Sequence, residues 1–102
     1  MAKGNIKAGT YTGTGSAIVL QLGFVPDYFC TINITDADEK YEWFSGMAAG
    51  TAILTNTAVA NQASNGVTAY QGTAGGNAAG LTLGTALSEN AKVYRYLALS
   101  NQ

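Results

Sequence analysis

The sequence predicts an all-β fold, a single antiparallel β-sandwich or small barrel with a jelly-roll-like arrangement. Apolar residues recur with period 2 in several short segments, as they do in half-buried strands. Glycine and polar turn residues separate these segments. No stretch shows sustained 3.6-residue periodicity, and we therefore expect no helix longer than about two turns. A length of 102 residues is typical of one domain.

The first fifteen residues differ from the rest of the chain. Residues 1–15 are rich in glycine, and Ile6 and Tyr11 are their sizeable apolar side chains. We interpret them as an N-terminal arm and an edge strand, and residues 16–102 as the β-sandwich domain. Such an arm gains order by joining the sheet edge of a neighbour. The expected contacts to a subunit or shell are Lys3, Asn5, Ile6 and Lys7; the alternative is a frayed terminus without a role.

Alternating patterns then mark the strands. The clearest pattern covers residues 28–34, where one face would carry Tyr28, Cys30, Ile32 and Ile34. Pro26 precedes it and cannot donate to a ladder, so it marks a turn or an edge. Residues 58–64 fit a helical turn or a loop, and the glycine-rich residues 72–80 fit a loop. Strands are expected at residues 18–22, 28–34, 41–44, 51–59, 66–71, 81–87 and 93–99.

The core is expected to come from the apolar members of these strands. A domain of this length needs its few large side chains inside. For the strand at residues 28–34 the interpretation places either Phe29 or Cys30 in the core, together with Ile32. The expected core residues are Ile18, Leu20, Phe29 or Cys30, Ile32, Trp43, Leu83 and Leu97.

The charge distribution excludes several classes of partner. The chain has five basic and six acidic residues and a net charge of −1. The basic residues are dispersed, so we expect no nucleic-acid binding, and no basic amphipathic helix indicates a membrane surface. Residues 1–11 lack the apolar core of a secretory signal, which predicts synthesis in the cytoplasm. So little charge predicts a homo-oligomer, because a monomer would expose wide uncharged surface.

No catalytic, cofactor-binding or metal-binding residue is predicted, and we expect no enzyme. The chain has no histidine, the commonest general base and metal ligand. Its single cysteine, Cys30, is interpreted as a buried small apolar residue or as half of an intermolecular disulfide. The acidic run at Asp36, Asp38 and Glu39 lacks the glycine and distal glutamate of a calcium loop, which favours a solvated turn. For the aromatic residues Tyr41, Trp43, Tyr94 and Tyr96 the alternatives are sugar stacking and packing in the core or at a subunit interface.

Two blocks of the sequence resemble small β-domains of tailed-phage virion proteins. Residues 23–29 read Gly-Phe-Val-Pro-Asp-Tyr-Phe, with Ile32 and then Trp43-Phe44 after them, and are similar to the opening of such domains. Residues 80–84 read Gly-Leu-Thr-Leu-Gly, and Asn90 and Tyr94-x-Tyr96-x-Ala98 follow, as in the close of these domains. The two blocks cover about half of the chain, and their order adds to the resemblance.

The resemblance implies a bacteriophage structural protein of the virion without enzymatic activity. A free-standing domain of this size resembles a capsid decoration, or cement, protein. Such proteins typically sit as trimers over capsomer junctions, so the resemblance implies a trimer on the capsid surface. Its partners would be the major capsid protein or other virion subunits. The alternative is a tail-fibre or adhesin-like module that binds a host surface glycan.

Overall fold

One antiparallel sheet, curled into a half-barrel, makes up the fold. The computed structural model describes residues 5–74, 76 and 78–100. Within these residues the sheet has eight strands, in the order β1-β8-β3-β4-β5-β6-β7-β2. They are β1 (Asn5–Thr12), β2 (Ile18–Gln21), β3 (Tyr28–Asn33), β4 (Lys40–Phe44), β5 (Thr51–Thr55), β6 (Val59–Tyr70), β7 (Gly80–Leu83) and β8 (Val93–Ser100).

The predicted all-β, antiparallel fold class is confirmed. The helical element of the described residues is a single 3₁₀ turn, Thr85–Leu87, between β7 and β8. No helix among the described residues has the length and apolar character to cross a membrane. The edge strands of the sheet are β1, from the segment interpreted as arm and edge strand, and β2.

The core lies on the concave inner face of the half-barrel. Alternation along each strand sends every second side chain inward, as the pleat of a strand requires. Across β8, β3 and β4 the inner row pairs Ala98 with Phe29 and Phe29 with Trp43. Strands β2, β6 and β7 close the core from the other side with Leu81, Leu83 and Val67. The inner face therefore holds most of the large aromatic side chains.

Most predicted strands are present, and the differences are informative. The segment at residues 58–64 was expected to be a helical turn or a loop, and this expectation is wrong: it belongs to the twelve-residue strand β6. Its register against β5 shifts between Thr51 and Ala52, whose partners are Val67 and Gln62. Residues 63–66 bulge between these partners, and Asn65 has a φ of 58°. Asn61, Ser64 and Asn65, which indicated a loop, are exposed on this hairpin, and Gln62 is half-buried.

The predicted core is partly correct. Phe29, Trp43 and Leu83 are buried, while Ile18 and Leu20 are half-buried against the core. Ile32 is 40% exposed, so its assignment to the core is wrong. The physical reason is the face: β3 buries the side that carries Phe29, and Ile32 lies on the opposite side. The half-buried residues Cys30 and Leu97 lie on that opposite side as well.

Candidate functional site

The predicted contact residues lie at the start of an edge strand. Asn5, Ile6 and Lys7 open β1, which pairs along its whole length with β8 of the same chain. Ile6 is 74% exposed and lies beside Leu99. Alternation places Asn5 and Lys7 on the face opposite to Ile6, so the three side chains share a strand but not a face. Lys3 lies outside the described residues, and the contact role of all four remains a prediction.

Several exposed apolar side chains lie on the convex side of β8, β3 and β4, which we call the outer face. Its rows follow from the strand registers. One row runs from Ile6 through Leu99 and Tyr28 to Phe44. Exposed apolar side chains are a normal feature singly, but a contiguous group marks an interaction surface. The outer face consists of Tyr28, Cys30, Ile32, Ile34, Lys40, Glu42, Phe44, Val93, Arg95, Leu97 and Leu99.

Three large apolar side chains of the outer face stay accessible to solvent. Ile32, Ile34 and Phe44 are 40%, 45% and 47% exposed. The Phe44 ring packs at a tilt against the ring of Tyr28, with 5.0 Å between centroids. Burial of such side chains by a partner is favourable by roughly 25 cal/mol per Å² of apolar area. The outer face therefore offers a hydrophobic contact that the isolated chain leaves unused.

Charges on the outer face are few and mostly neutralised by neighbours. Glu42 Oε2 accepts a hydrogen bond of 2.7 Å from the Tyr28 hydroxyl, and Glu42 Oε1 lies 4.0 Å from Lys40 Nζ. Burial, the hydrogen bond to Glu42 and the nearby Cys30 raise the pKa of Tyr28, so its hydroxyl keeps the donated proton at neutral pH. Arg95 is exposed, and Ile32 lies between Arg95 and Lys40 in register.

Cys30 is a free thiol on the outer face. It is half-buried between Leu97 of β8 and Glu42 of β4, its neighbours in register. The interpretation as a small apolar residue is thus in keeping with its surroundings, although the side chain lies outside the core. An intermolecular disulfide remains a prediction.

A polar cluster occupies one end of the half-barrel. Asn33 is fully buried and its Oδ1 accepts hydrogen bonds of 3.0 Å from the backbone N–H groups of Thr35 and Asp36. Its Nδ2 donates to Asp36 Oδ2 at 3.2 Å and to Glu89 Oε2 at 3.4 Å. Lys92 Nζ pairs with Asp36 Oδ1 at 3.1 Å. These contacts connect the turn after β3 to the loop before β8.

Glu39 and Glu89 form a carboxyl pair within this cluster. Burial, followed by the hydrogen bond and the charge of Glu89, raises the pKa of Glu39 to about 7. Glu39 Oε1 is buried without a hydrogen-bond partner among the described residues. Two carboxyl groups in contact favour a state in which they share one proton. Among the described residues, no group of three or more acidic, histidine or cysteine side chains is placed to hold a metal ion.

The four aromatic residues considered for sugar stacking belong to the interior. Trp43, Tyr41 and Tyr94 are buried, and Tyr96 is nearly so. Tyr94 stacks on Tyr11 with 4.9 Å between ring centroids and an interplanar angle of 2°. The core interpretation of these residues is confirmed, and they offer no platform to a glycan.

The described residues enclose no pocket that could bind a small molecule. The outer face could not be predicted from alternation alone, because the alternating patterns of β3 and β8 indicate Ile32 and Leu97 as core residues. The signal that identifies it is charge: Lys40, Glu42 and Arg95 all lie on this side. No family model, curated protein or solved structure matches the chain.

Proposed function

We propose that this chain is a non-enzymatic structural protein of a bacteriophage virion, a capsid decoration (cement) protein that binds the assembled head shell. The observation that carries the proposal is the outer face, where Ile32, Ile34 and Phe44 are exposed on one side of the sheet. The resemblance of residues 23–29 and 80–98 to virion β-domains supports the same class. Its partner is the major capsid protein, and its place is the capsid surface.

The outer face would stabilise the shell by mass action. A ligand that binds the assembled shell but not its separated subunits shifts the equilibrium towards assembly. Full burial of an exposed Ile or Phe contributes about 1.5–3 kcal/mol, and Ile32, Ile34 and Phe44 are each about half exposed. Together they supply a few kcal/mol, before the entropic cost of association. At a concentration 100 times the Kd, a bound ligand adds about 2.7 kcal/mol of stability per site.

The decisive experiment compares two matched variants on purified phage heads stripped of this protein. Ile32→Glu puts a carboxylate between Lys40 and Arg95, which the fold tolerates because opposite charges then face each other across the strands. The same carboxylate disrupts an apolar contact with the shell. Val19→Glu changes a side chain of similar exposure, 46%, on β2, outside the outer face. The Ile32→Glu variant should no longer sediment together with the heads, whereas the Val19→Glu variant should still do so.

The location of the chain in the particle separates the decoration protein from the alternative module. A decoration protein is present in hundreds of copies per virion, a fibre tip in tens or fewer. Quantitative mass spectrometry of intact virions and electron microscopy of labelled particles measure both quantities. Equal binding of both variants to heads, or a copy number in the tens, would refute the proposed function.

A further inference from the structure

The first observation is an unpaired row of backbone groups on β1. Gly13 N donates to Lys92 O at 2.8 Å, and Gly13 O accepts from Ala91 N at 3.0 Å. Residue 13 thus bonds towards β8, and by strand alternation so do the odd-numbered residues of β1. The N–H and C=O groups of Ile6, Ala8, Thr10 and Thr12 consequently point away from the sheet. The side chains of these four residues are all exposed.

The bonds of β3 support this assignment independently. Ile34 N donates to Val93 O at 2.9 Å, so odd-numbered residues of β8 bond towards β3. The even-numbered residues of β8 therefore bond towards β1. In agreement, the even-numbered Tyr94 is the register partner of the odd-numbered Tyr11. Both strands therefore give the same direction for the free backbone groups.

The second observation is that β1 has only one of the features that normally block a sheet edge, the inward-facing charge of Lys7. Natural edges are short or bulged, or they carry proline or charged side chains, including inward-pointing ones. Strand β1 has eight residues in continuous register, one charge at Lys7, and no proline. The Lys7 side chain lies on the inner side, beside Ala98. The opposite edge, β2, has four residues and is therefore blunted by its length.

We propose that the β1 edge binds a second copy of this chain, with the two β1 strands antiparallel about a two-fold axis. Strand length favours the β1 strand of a second copy as the occupant. Two β1 strands of eight residues match along their whole length, whereas β2 would offer only four residues. The register with Gly9 of one copy opposite Gly9 of the other pairs all four outward-facing residues. Ile6 then faces Thr12, Ala8 faces Thr10, and about eight hydrogen bonds form.

Side chains fit the same register. Lys7 faces Tyr11 of the other copy, so the two lysines are not directly opposite, which would be unfavourable. On the inner side, Gly9 has little room for a side chain, since a Cβ there would lie 3.2 Å from the Tyr96 hydroxyl. The axis passes between two glycines, and the strands can approach without a steric conflict. The pairing also leaves both outer faces on the same side of the combined sheet.

The proposal goes beyond the proposed function, and its test needs no virion. The full chain has a mass of 10.5 kDa, so a dimer has twice that mass, about 21 kDa. Analytical ultracentrifugation of the full chain should show this dimer. Ala8→Pro removes an outward-facing N–H, and proline is tolerated at such positions of an edge strand. Each dimer then loses two hydrogen bonds, and the dissociation constant should rise about 100-fold.

The control is Val19→Pro on the other edge. Leu22 N donates to Ala79 O at 2.9 Å, so alternation turns the N–H of Val19 away from β7. This variant should remain dimeric. Hydrogen exchange of the unmodified chain gives a second measurement that does not depend on a variant folding. The amides of Ile6, Ala8, Thr10 and Thr12 should be protected at high protein concentration and exchange quickly on dilution.

The proposal is overturned by a chain that stays monomeric at high concentration, by a trimer, by a folded Ala8→Pro variant with the dissociation constant of the unmodified chain, or by concentration-independent exchange of the four amides. If Val19→Pro abolished the dimer, the interface would lie at β2, and the proposal would be overturned as well. A trimer is the assembly implied by the resemblance to decoration proteins. If the β1 pairing fails, the comparison of Ile32→Glu with Val19→Glu on heads still tests the proposed function, because neither substitution changes β1.

Discussion

Glu39→Gln should change how the stability of the protein depends on pH. In the folded chain the pKa of Glu39 is about 7, against 4.5 for the unperturbed carboxyl. Burial is the first cause, and the hydrogen bond with Glu89 and its negative charge are the next. Glutamine keeps the shape of the protonated side chain but has no charge to lose. The variant therefore imitates the low-pH form of Glu39 at every pH.

The direction of the effect follows from proton binding. Because the pKa is higher in the folded state, the folded chain holds more protons than the unfolded chain between pH 4.5 and about 7. The contribution of Glu39 to stability is complete below pH 4.5 and is lost as pH rises to about 7. At about 1.4 kcal/mol per pH unit, the loss has an upper limit of about 3 kcal/mol. Partial exposure of the side chain and screening by solvent reduce it to about 1–2 kcal/mol.

Urea unfolding followed by the fluorescence of Trp43 measures this contribution. At pH 4.5 the variant and the unmodified chain should differ little in free energy of unfolding, and at pH 8 the variant should be more stable by about 1–2 kcal/mol. Glu42→Gln serves as the control, since Glu42 lies on the outer face and its hydrogen-bond partner is Tyr28. Parallel stability curves for Glu39→Gln and the unmodified chain from pH 4.5 to 8 would refute the reasoning.

Three further substitutions test the packing by urea or thermal unfolding. Trp43→Ala should lower the free energy of unfolding by about 3–5 kcal/mol, because Trp43 is 3% exposed in the core; a near-neutral effect would contradict its core position. Ile32→Ser should cost less than about 1 kcal/mol, since Ile32 is exposed on the outer face, and a core-sized loss would reverse the assignment of faces in β3. Gly13→Ala should cost about 1–3 kcal/mol or more, because its Cβ would lie 2.1 Å from the carbonyl oxygen of Glu89; unchanged stability would show that this contact is loose.

The strands were more predictable than the face that each strand buries. Period-2 patterns identified the segments of β2, β3, β4 and β8, because alternation is a local property of the sequence. The face of β3 is different, because its own pattern favours the apolar side of Cys30 and Ile32, whereas the structure buries the side that carries Phe29, Thr31 and Asn33. The decision comes from its neighbours. Strand β4 carries Lys40 and Glu42 on one side and can bury only the side of Trp43, and register then brings Phe29 inward with Trp43.

Strand β6 shows a second limit of local patterns. Asn61, Gln62, Ser64 and Asn65 are typical of a loop. They form a strand here because β5 offers a complementary edge, and a bulge absorbs the residues that do not fit the ladder. A strand whose polar side chains are exposed on a hairpin has no apolar alternation to detect. This part of β6 forms because it pairs with β5, and a local stretch of sequence does not show that pairing.

The β1 edge and the outer face meet at β1, so a connection between dimer formation and shell binding can be tested. The backbone of β1 faces the open edge, while the Ile6 side chain extends the outer face. A dimer would present two outer faces to one shell, and its second contact would form at a high effective concentration. Ala8→Pro should therefore weaken binding to stripped heads at least 10-fold, although its position lies outside the apolar row of Phe44, Tyr28 and Leu99. Ile32→Glu should abolish head binding and leave the dimer mass unchanged. If Ala8→Pro yields a monomer that binds heads as tightly as the unmodified chain, each outer face acts alone and the pairing of β1 contributes nothing to shell binding.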